Sequence, residues 1–592
     1  MSKLFWTLLC FGIFTTTVAS AQTIQIPPEG WEPEPSPFAS EWAEPGGTVK
    51  VYASQYPASF NYYLDQNVFS SRLFSYQFES LIGQNGLSLE PEPGLASRLE
   101  ISEDQLTFTF YLDEKAQWSD GRPVTADDVI WTFNAIMDPS HPTGPHKVGL
   151  DRFEVPVKID DRSVQFTAKE VHWGNIWACG GFSILPSHWW KDQDFNKTNF
   201  VFPVVSGPYE ISQLNEPHSV VLSKRDDYWA IDDPRGEGLT NFDEIEFRFY
   251  AQRDTAFDNF KAGNFDLFAV YTAKRWASET SGKAFDQNWI IKQAIHNLNP
   301  TGFQGFAMNM RNPLFQDLRV RKALAMLLDR QRMNETLMFN QYELTASYFP
   351  DLYPEGNPNP LVEYNVTEAL RLLNEAGWSL EKGKLTKDGK PFVLTFLTRD
   401  PSSNRFLLIY RKSLEQVGIE LVIDQKDWAS WAKDMNEYNY DMTWASWSAG
   451  LFKDPESMWH SKYVDAPSGF NITGLKNEKV DALIDSIGDE FDVEKRHEVV
   501  REIDALLVAE QPYILLWHTN YVRLLYWNRF DMPDQVLTLY GSESAAQSLW
   551  WTSPDLNADL EAAKKSGRKL PGRPSVVNIS EGFLTVPAEP LQ

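Results

Sequence analysis

Strand-like and helix-like runs alternate along most of this chain, and the alternation constrains its fold more than any other feature. Residues 107–111, 163–168 and 244–250 have the β-branched and aromatic composition of strands. Residues 317–328 and 365–377 have apolar residues at helical spacing behind an Asp or Asn cap. The pattern predicts mixed α/β lobes. A chain of 592 residues exceeds one hydrophobic core severalfold, so we expect at least two lobes.

One segment, residues 118–133, joins a turn to a helix start and reads WSDGRPVTADDVIWTF. Ser, Asp and Gly favour a turn, and Thr125 is a capping residue with Asp128 three positions later. Apolar residues then follow on one helical face. The segment predicts a turn followed by a packed amphipathic helix that begins beside Thr125.

The same segment resembles one shared by the oligopeptide- and dipeptide-type extracellular solute-binding proteins of bacterial ABC importers. Four further blocks resemble the same family in the same order: VSGPY at 205–209 with VLSKRDDYW at 221–229, FDNFKAGNFDLF at 257–268, MNMRNPLFQDLRVRKAL at 308–324, and EALRLLNEAGW at 368–378. The last two blocks are most similar to the branch that takes up microcin-like and cell-wall-derived peptides.

The resemblance implies a two-lobed periplasmic binding protein fold of the large cluster C type, with an extra subdomain inserted in the first lobe. Mapped onto this chain it predicts a signal peptide at 1–21, a Pro-rich lead-in at 22–46, a discontinuous first lobe at 47–75, 203–296 and 526–592, an inserted subdomain at 76–202, and a second lobe at 297–525. Ligand would lie in the cleft between the lobes, and closure of the lobes would bury it.

The N-terminus has the features of a secretory signal. Lys3 precedes an apolar run at 4–14, and small residues end at Ala21. We therefore expect cleavage after Ala21 and a periplasmic protein. The apolar run is too short to cross a membrane, so stable membrane insertion is not expected. Cleavage would leave Cys179 as the one cysteine, which we expect to be a small buried hydrophobe.

Charge and composition exclude several function classes. Lys and Arg number 54 against 81 Asp and Glu, a net charge of −27 that would repel nucleic acid and anionic lipid. The chain lacks the short motifs of serine hydrolases, zinc proteases, thiol oxidoreductases and P-loop enzymes, and its nine His show no metal-ligand spacing. We expect no catalysis, no metal and no cofactor, and a protein that acts as a monomer.

The resemblance points to a ligand-holding loop at 440–455. In relatives a Trp and an Asp three residues later hold the ligand backbone and its α-amino group. Trp447 matches the Trp, but the Asp position is occupied by Gly450. Asp454 is the nearest alternative acid. Trp444 is a second candidate, although alternation along a strand would place it on the face opposite Trp447.

A second pass of the chain through the cleft is expected at 513–521, where Trp517 or His518 would reach ligand or serve only packing.

Three candidates come from the first-lobe side. Tyr56 and Asn61 lie in a loop that corresponds to a ligand-contacting loop of relatives, and a phenol and an amide can bind peptide or sugar groups. Asn61 could equally fix a turn. His146 lies in a Pro- and Gly-rich loop of the predicted insertion that reaches toward ligand in relatives.

The function implied by the resemblance is capture of oligopeptides, including cell-wall-derived or modified ones, and delivery to an inner-membrane ABC permease. The alternative is an oligosaccharide ligand on the same fold. The 22 Trp and 22 Tyr provide rings that can stack on sugars, and the missing Asp removes a partner for a peptide amine.

Overall fold

The computed structural model describes residues 23–64, 67–466 and 469–579. The predicted signal peptide, its cleavage after Ala21 and residues 580–592 of the predicted first lobe lie outside the described residues. Three main sheets organise the described part. We name the units built on them the first lobe, the inserted subdomain and the second lobe.

The first lobe is built on an eight-stranded mixed sheet assembled from distant parts of the chain. Its strands, in spatial order, are Val576–Asn578, Ile290–His296, Tyr521–Trp527, Leu267–Ala269, Thr48–Ala53, Glu244–Phe249, Ser219–Lys224 and Tyr209–Asn215. Its helices and helical turns are Val68–Ser75, Pro234–Gly236, Arg253–Lys261, Arg275–Glu279, Lys283–Asp286, Glu543–Ala545, Ala546–Leu549 and Pro554–Ser566. Two short strands, Phe530–Asp531 and Trp551–Thr552, pair beside it.

The inserted subdomain is built on a five-stranded antiparallel sheet. The strands run in the order Ile24–Ile26, Ala96–Ile101, Thr107–Leu112, Ser163–Thr167 and Val157–Asp160. Ile82–Gln84 and Pro91–Pro93 form a separate hairpin. The helices and helical turns are Ala126–Met137, Gly144–Lys147, Leu150–Arg152, Asn175–Gly180 and Ser187–Trp190. The Pro-rich lead-in takes part in this unit, because its strand Ile24–Ile26 completes the edge of the sheet.

The segment at 118–133 forms the predicted turn and helix, and Asp128 connects them. The helix begins at Ala126, and the Thr125 N–H donates to Asp128 Oδ2 over 2.8 Å. The same buried carboxylate accepts from the Trp118 indole at 3.3 Å and from the Ser187 N–H and hydroxyl at 2.8 and 2.6 Å. The capping prediction is confirmed, and Asp128 in addition ties two helices to the turn.

The second lobe is built on a mixed five-stranded sheet. Its strands run in the order Glu420–Gln425, Val393–Thr398, Met442–Trp447, Phe303–Met308 and Tyr513–Leu515. Smaller sheets pair Glu343–Leu344 with Trp517–His518, and Ser379–Glu381 with Lys384–Lys387 and Lys390–Pro391. The helices and helical turns are Pro313–Phe315, Leu318–Met326, Arg330–Leu337, Pro350–Leu352, Val366–Glu375, Pro401–Ser403, Asn404–Gln416, Trp428–Asn436, Glu456–Trp459, Ser461–Tyr463, Glu478–Ser486 and Val493–Glu510.

The strands and helices predicted from sequence are present. The two predicted helices are Leu318–Met326 and Val366–Glu375, and their caps Asp317 and Asn365 accept backbone N–H groups at 2.9 and 3.0 Å. Cys179 is fully buried, and burial raises the pKa of its thiol well above the usual range, as expected of an inert hydrophobe. No helix in the described ranges is long and apolar enough to span a membrane.

The chain passes between the two large sheets twice. The first passage runs from the strand Ile290–His296 to Phe303–Met308, and the second from Trp517–His518 to Tyr521–Trp527. The two first-lobe strands concerned pair with each other along their whole length. Both passages therefore lie side by side where the two lobes meet.

Candidate ligand-binding site

A cavity of about 760 Å³ lies at this junction, and both lobes line it. The second lobe contributes residues from its sheet and from the turn after Val393–Thr398. The first lobe contributes Tyr271 and Glu543, and the passages between the lobes contribute Asn297 and Asn520. A cavity of this volume falls in the range of ligand pockets, roughly 300–1,000 Å³.

The second-lobe wall includes a strand with one incompletely paired edge. Met442–Trp447 pairs along its whole length with Phe303–Met308 on one side. On the other side Val393–Thr398 pairs with it only at Met442 and Thr443. The edge from Trp444 to Trp447 therefore has no strand beside it on the cavity side among the described residues.

Trp444 and Trp447 both line the cavity, although they belong to opposite faces of the strand. Trp444 packs with Phe306 and Phe406, with ring centroids at 5.4 Å in each case, and its indole donates to Gln304 Oε1 over 3.1 Å. Trp447 instead donates to the Tyr513 hydroxyl over 3.1 Å and is half-buried. Both rings are thus held in place on one side and reach the cavity on the other.

Gly302 allows the chain to pass close behind Trp447. A Cβ atom at Gly302 would lie 1.8 Å from the Trp447 carbonyl oxygen and 3.0 Å from the Ser448 Cα. Backbone atoms cannot move aside for an added Cβ as the end of a flexible side chain can. The position of the Trp447 backbone at the cavity therefore depends on the absence of a side chain at 302.

Trp517 and His518 also line the cavity. Trp517 is 1 % exposed and packs against Phe406 and Trp444, so most of its surface serves the core. His518 Nδ1 is buried without a hydrogen-bond partner in the described structure, and burial lowers the pKa of the ring. The other ring nitrogen, Nε2, lies 3.6 Å from the Glu343 carboxylate.

Two tryptophans that sequence reasoning missed lie at the cavity edge. Trp428 and Trp431 stack at a centroid distance of 5.3 Å, and the Arg399 guanidinium lies over them at 4.2 and 4.8 Å. Trp431 and Arg399 line the cavity, while Trp428 is 52 % exposed. Their helical spacing made them resemble ordinary packing residues.

The first-lobe wall was also missed, because its residues come together only through the fold. Glu543 accepts a hydrogen bond from the Tyr271 hydroxyl at 3.0 Å and forms an ion pair with Arg72 at 3.2 Å. These residues lie hundreds of positions apart in sequence. The Tyr342 hydroxyl of the second lobe donates to the Tyr271 carbonyl oxygen at 2.5 Å, so the lobes touch at the cavity edge.

The sequence matches the family model described as bacterial extracellular solute-binding proteins, family 5, over residues 90–469. The chain belongs to this family. The Agrobacterium fabrum proteins named peptidoglycan-binding protein YepA and probable peptide-binding protein YejA are 28% and 25% identical to it. The matches cover 77% of this chain and 81% of YepA, and 93% of this chain and 98% of YejA.

Solved structures agree on the fold of this solute-binding protein. The oligopeptide-binding protein AppA of Bacillus subtilis, in complex with a nonapeptide, superposes with a TM-score of 0.71 at 21% identity, covering 86% of this chain and 100% of AppA. The two-lobed periplasmic binding protein fold inferred from sequence is therefore confirmed.

The remaining predicted residues of the solute-binding protein lie outside the cavity lining. Asn61 is fully buried; its amide donates to the Phe195 carbonyl oxygen at 2.7 Å and accepts from the Tyr63 N–H at 3.2 Å, so it fixes a turn. Tyr56 packs on Phe249 at 4.9 Å, and burial raises the pKa of its phenol to about 12. Ligand contact by either residue stays a prediction.

His146 and Asp454 are likewise occupied elsewhere. The His146 ring packs edge-on against Tyr63 at 4.9 Å, and burial lowers its pKa. Asp454 accepts the Glu456 N–H at 2.9 Å at the start of a helical turn. The Gly450 carbonyl oxygen accepts from Lys453 at 2.9 Å. At Gly450, the position predicted to correspond to an amine-holding acid, this loop therefore provides a backbone oxygen bonded to a lysine.

Proposed function

We propose that this solute-binding protein captures oligopeptides in the interlobe cavity and delivers them to an inner-membrane ABC permease from the periplasm. The observation that carries the proposal is the open edge of the strand at 444–447. An extended peptide can pair with such an edge through its backbone, whatever its side chains are.

The volume and lining of the cavity support the same ligand class. About 760 Å³ leaves room for water beside a short peptide, and bridging waters let one site accept different side chains. Trp444 and Trp447 flank the open edge and provide apolar surface for ligand side chains or backbone. The relatives named for peptide or peptidoglycan binding, and the neighbour solved with a nonapeptide, support this class as well.

An oligosaccharide is the second candidate, and the stacked pair of Trp428 and Trp431 favours it. Sugar faces stack on aromatic rings, and the cavity edge presents such a ring beside open solvent. An Arg over the indole faces competes with a sugar for that surface, because Arg399 lies 4.2 Å from the Trp428 ring centre. The pair therefore favours sugar less strongly than the strand edge favours peptide.

A thermal-shift screen separates the two candidates. Peptides of two to eight residues and β-linked oligosaccharides are added to the purified protein, and ligand at ~100 times its Kd is expected to add about 2.7 kcal/mol of stability. Stabilisation by oligosaccharides alone would favour the second candidate and contradict the first.

The strand-edge pairing has its own matched control. A peptide that binds is compared with the same peptide methylated on alternate backbone nitrogens. Each methyl group removes one N–H donor and leaves the side chains unchanged. We expect methylation in one of the two alternating registers to weaken binding by about tenfold or more, which corresponds to one to two lost hydrogen bonds. Equal binding of all forms would contradict pairing through the backbone.

Delivery to a permease is tested in the native host. Deletion of the gene is expected to abolish uptake of the identified peptide, and a plasmid copy to restore it. Undiminished uptake in the deletion strain would contradict a role in import.

A further inference from the structure

Cationic side chains gather at the cavity of a protein that is acidic overall. Arg399 and Arg405 of the second lobe and Arg523 of the first lobe line it. Of the residues that the structure describes, two acids, Asp400 and Glu543, line the same cavity. The whole chain has a net charge of −27, so the local balance is opposite in sign to the rest of the molecule.

Arg523 is a buried cation that has no counter-ion among the described residues. It is 4 % exposed, and its guanidinium donates to the Tyr521 hydroxyl at 3.1 Å, the Tyr342 hydroxyl at 3.3 Å and the Gln341 carbonyl oxygen at 2.7 Å. All three partners are neutral. No carboxylate lies within ion-pair distance of it in the parts of the chain that the structure describes. Burial of an unpaired charge is costly, and an anion in the cavity would offset that cost.

Arg405 and Arg399 are exposed and similarly unpaired. The Arg405 guanidinium lies 4.7 Å from the Phe406 ring centre, and Arg399 rests on the two indoles described above. Neither forms an ion pair with a described carboxylate. A guanidinium that stacks on a ring keeps its in-plane N–H groups free for a carboxylate. Burial raises the pKa of Tyr342, and the positive charges of Arg523 and, more weakly, Arg405 oppose that shift.

The two acids of the lining are already engaged. Glu543 accepts from Tyr271 and pairs with Arg72, so its charge is already compensated. Asp400 accepts the Ser402 N–H at 2.8 Å and the Ser402 hydroxyl at 2.7 Å and keeps its charge. Burial lowers the pKa of the neighbouring Arg399, and the charge of Asp400 opposes that shift. Arg405 and Arg523 are therefore the lining arginines that neither acid offsets.

We propose that the cavity is selective for peptides that carry two or more carboxylates, with Arg399, Arg405 and Arg523 as their partners. Arginine is suited to this role because its planar fork binds a carboxylate through two parallel hydrogen bonds. The absence of an acid at Gly450 agrees with a site that holds anions in place of an amine. The inference rests on the proposed function and names the ligand class of the same site.

Calorimetric titration of the full mature protein with three matched pentapeptides tests the proposal. In each peptide alanine alternates with one polar residue, which is glutamate, glutamine or lysine. We expect the glutamate peptide to bind about tenfold more tightly than the glutamine peptide, and the lysine peptide to bind least. The preference is expected to shrink when salt is raised from about 0.05 to about 0.5 M.

Variants of the lining arginines assign the preference to residues. Arg399→Gln and Arg405→Gln replace exposed side chains, and the double variant is expected to lower the ratio of glutamate to glutamine affinity about threefold or more. Arg523→Gln is expected to lower it further, provided that its melting temperature stays close to that of the parent. Arg122→Gln is the matched control, because Arg122 is 62 % exposed and lies in the inserted subdomain, away from the cavity lining.

The possible outcomes are distinct. If the glutamate and glutamine peptides bind the parent protein within about twofold of each other, peptide binding stands and the charge selectivity is refuted. A preference that survives the double Arg399→Gln and Arg405→Gln variant unchanged also refutes the assignment. If no peptide of the three binds while an oligosaccharide does, the proposed function fails and this inference fails with it.

Discussion

The second lobe faces the rest of the molecule through two surfaces that differ in kind. Toward the first lobe it borders a cavity of about 760 Å³. Toward the inserted subdomain it packs directly: Arg152 pairs with Glu456 at 3.2 Å, the Trp173 N–H donates to the Gly488 carbonyl oxygen at 2.8 Å, and the Phe452 ring lies 5.3 Å from that of Trp177. One surface leaves space for a ligand, and the other is closed without one. We name this second surface the insert contact.

A single loop connects the two surfaces. The strand Met442–Trp447 borders the cavity, and the chain then continues through Phe452 and Glu456, which belong to the insert contact. A shift of Trp447 caused by ligand would therefore move residues that hold the inserted subdomain. The difference between the surfaces indicates that the ligand provides contacts on one side of the lobe while the protein itself provides them on the other.

The largest effect is expected at the cavity, from Gly302→Ala. The new methyl group would overlap the Trp447 carbonyl oxygen, so the strand edge must move. We expect a loss of stability on the order of 3 kcal/mol and no measurable ligand affinity. Denaturant unfolding and calorimetry measure both quantities. Gly450→Ala is the control, because the nearest atom to a Cβ at Gly450 is the Phe452 carbonyl oxygen at 3.2 Å. This variant should change stability and ligand affinity far less. Wild-type behaviour of Gly302→Ala would mean that the loop is loosely held.

Trp447→Ala is expected to have the next largest effect, and on binding more than on stability. Removal of a ring that lines the cavity should cost on the order of 2 kcal/mol of binding free energy. Trp459 is the comparison residue, because it is 1 % exposed in the core beside the insert contact and its replacement by Ala should cost roughly 3–5 kcal/mol of stability. Ligand affinity within about twofold of the parent, or unfolding of Trp447→Ala, would place the binding site elsewhere.

The second-lobe and first-lobe walls of the cavity differ in how well they could be predicted from sequence. The second-lobe candidates Trp444, Trp447, Trp517 and His518 all line the cavity. These residues lie in strands. The family resemblance indicates where each strand lies, and the alternation of side chains along a strand indicates which way each side chain points. The open edge beside them could not be predicted, because it depends on where a neighbouring strand stops pairing.

The first-lobe side was predicted less well, for a physical reason. Asn61 and His146 lie in irregular segments, and their side chains pack against neighbouring residues. Such segments have no regular sequence periodicity from which the direction of a side chain could be predicted. The wall is instead formed by residues such as Tyr271, Arg523 and Glu543. Tyr271 and Arg523 meet because Leu267–Ala269 pairs with Tyr521–Trp527 across a long separation in sequence, and Glu543 joins them through its hydrogen bond from the Tyr271 hydroxyl. Pairing of that kind leaves no local signal in the chain.

Arg152→Met is expected to have a smaller effect, at the insert contact. The side chains of Arg152 and Glu456 are 12 and 13 % exposed, and Glu456 keeps a second partner in Lys462. Loss of the charge-assisted hydrogen bond should therefore cost roughly 1–2 kcal/mol of ligand affinity or of stability. Lys158, which pairs at the surface with both Asp127 and Asp161, supplies the control variant Lys158→Met, and this variant should change neither quantity measurably.

Small-angle scattering then distinguishes the role of the insert contact from simple packing. We expect the parent protein to have a smaller radius of gyration with saturating ligand than without it, because closure brings the lobes together. In Arg152→Met the ligand-free radius should be larger than that of the parent, since the contact that closes without ligand is weakened. An unchanged radius in both experiments, with binding confirmed, would mean that the lobes do not move.

The smallest effect concerns pH and His172, which lies at the insert contact beside Gly488. Burial, and secondarily the positive charge of Arg152, lower the pKa of this ring from 6.5 to about 4, while Glu456 opposes the shift. Because the folded pKa is below the unfolded one, the neutral ring contributes stability that is fully present above about pH 6.5. That stability is lost as the pH falls toward about 4. Solvent screening of a half-buried ring reduces the loss to roughly 1 kcal/mol.

Urea unfolding at about pH 7.5, 5.5 and 4 measures this contribution when the parent is compared with His172→Asn. Asparagine does not titrate, and it keeps an acceptor for the Gly174 N–H, which His172 Nδ1 accepts at 3.0 Å. Carboxylates that do not interact with His172 act equally on both proteins, so the difference between the two curves reports His172 together with Glu456, whose pKa the ring lowers. We expect the parent to lose roughly 1 kcal/mol more than the variant between pH 7.5 and 4. Parallel curves would show that His172 is solvated in the folded protein and that the insert contact is open in solution.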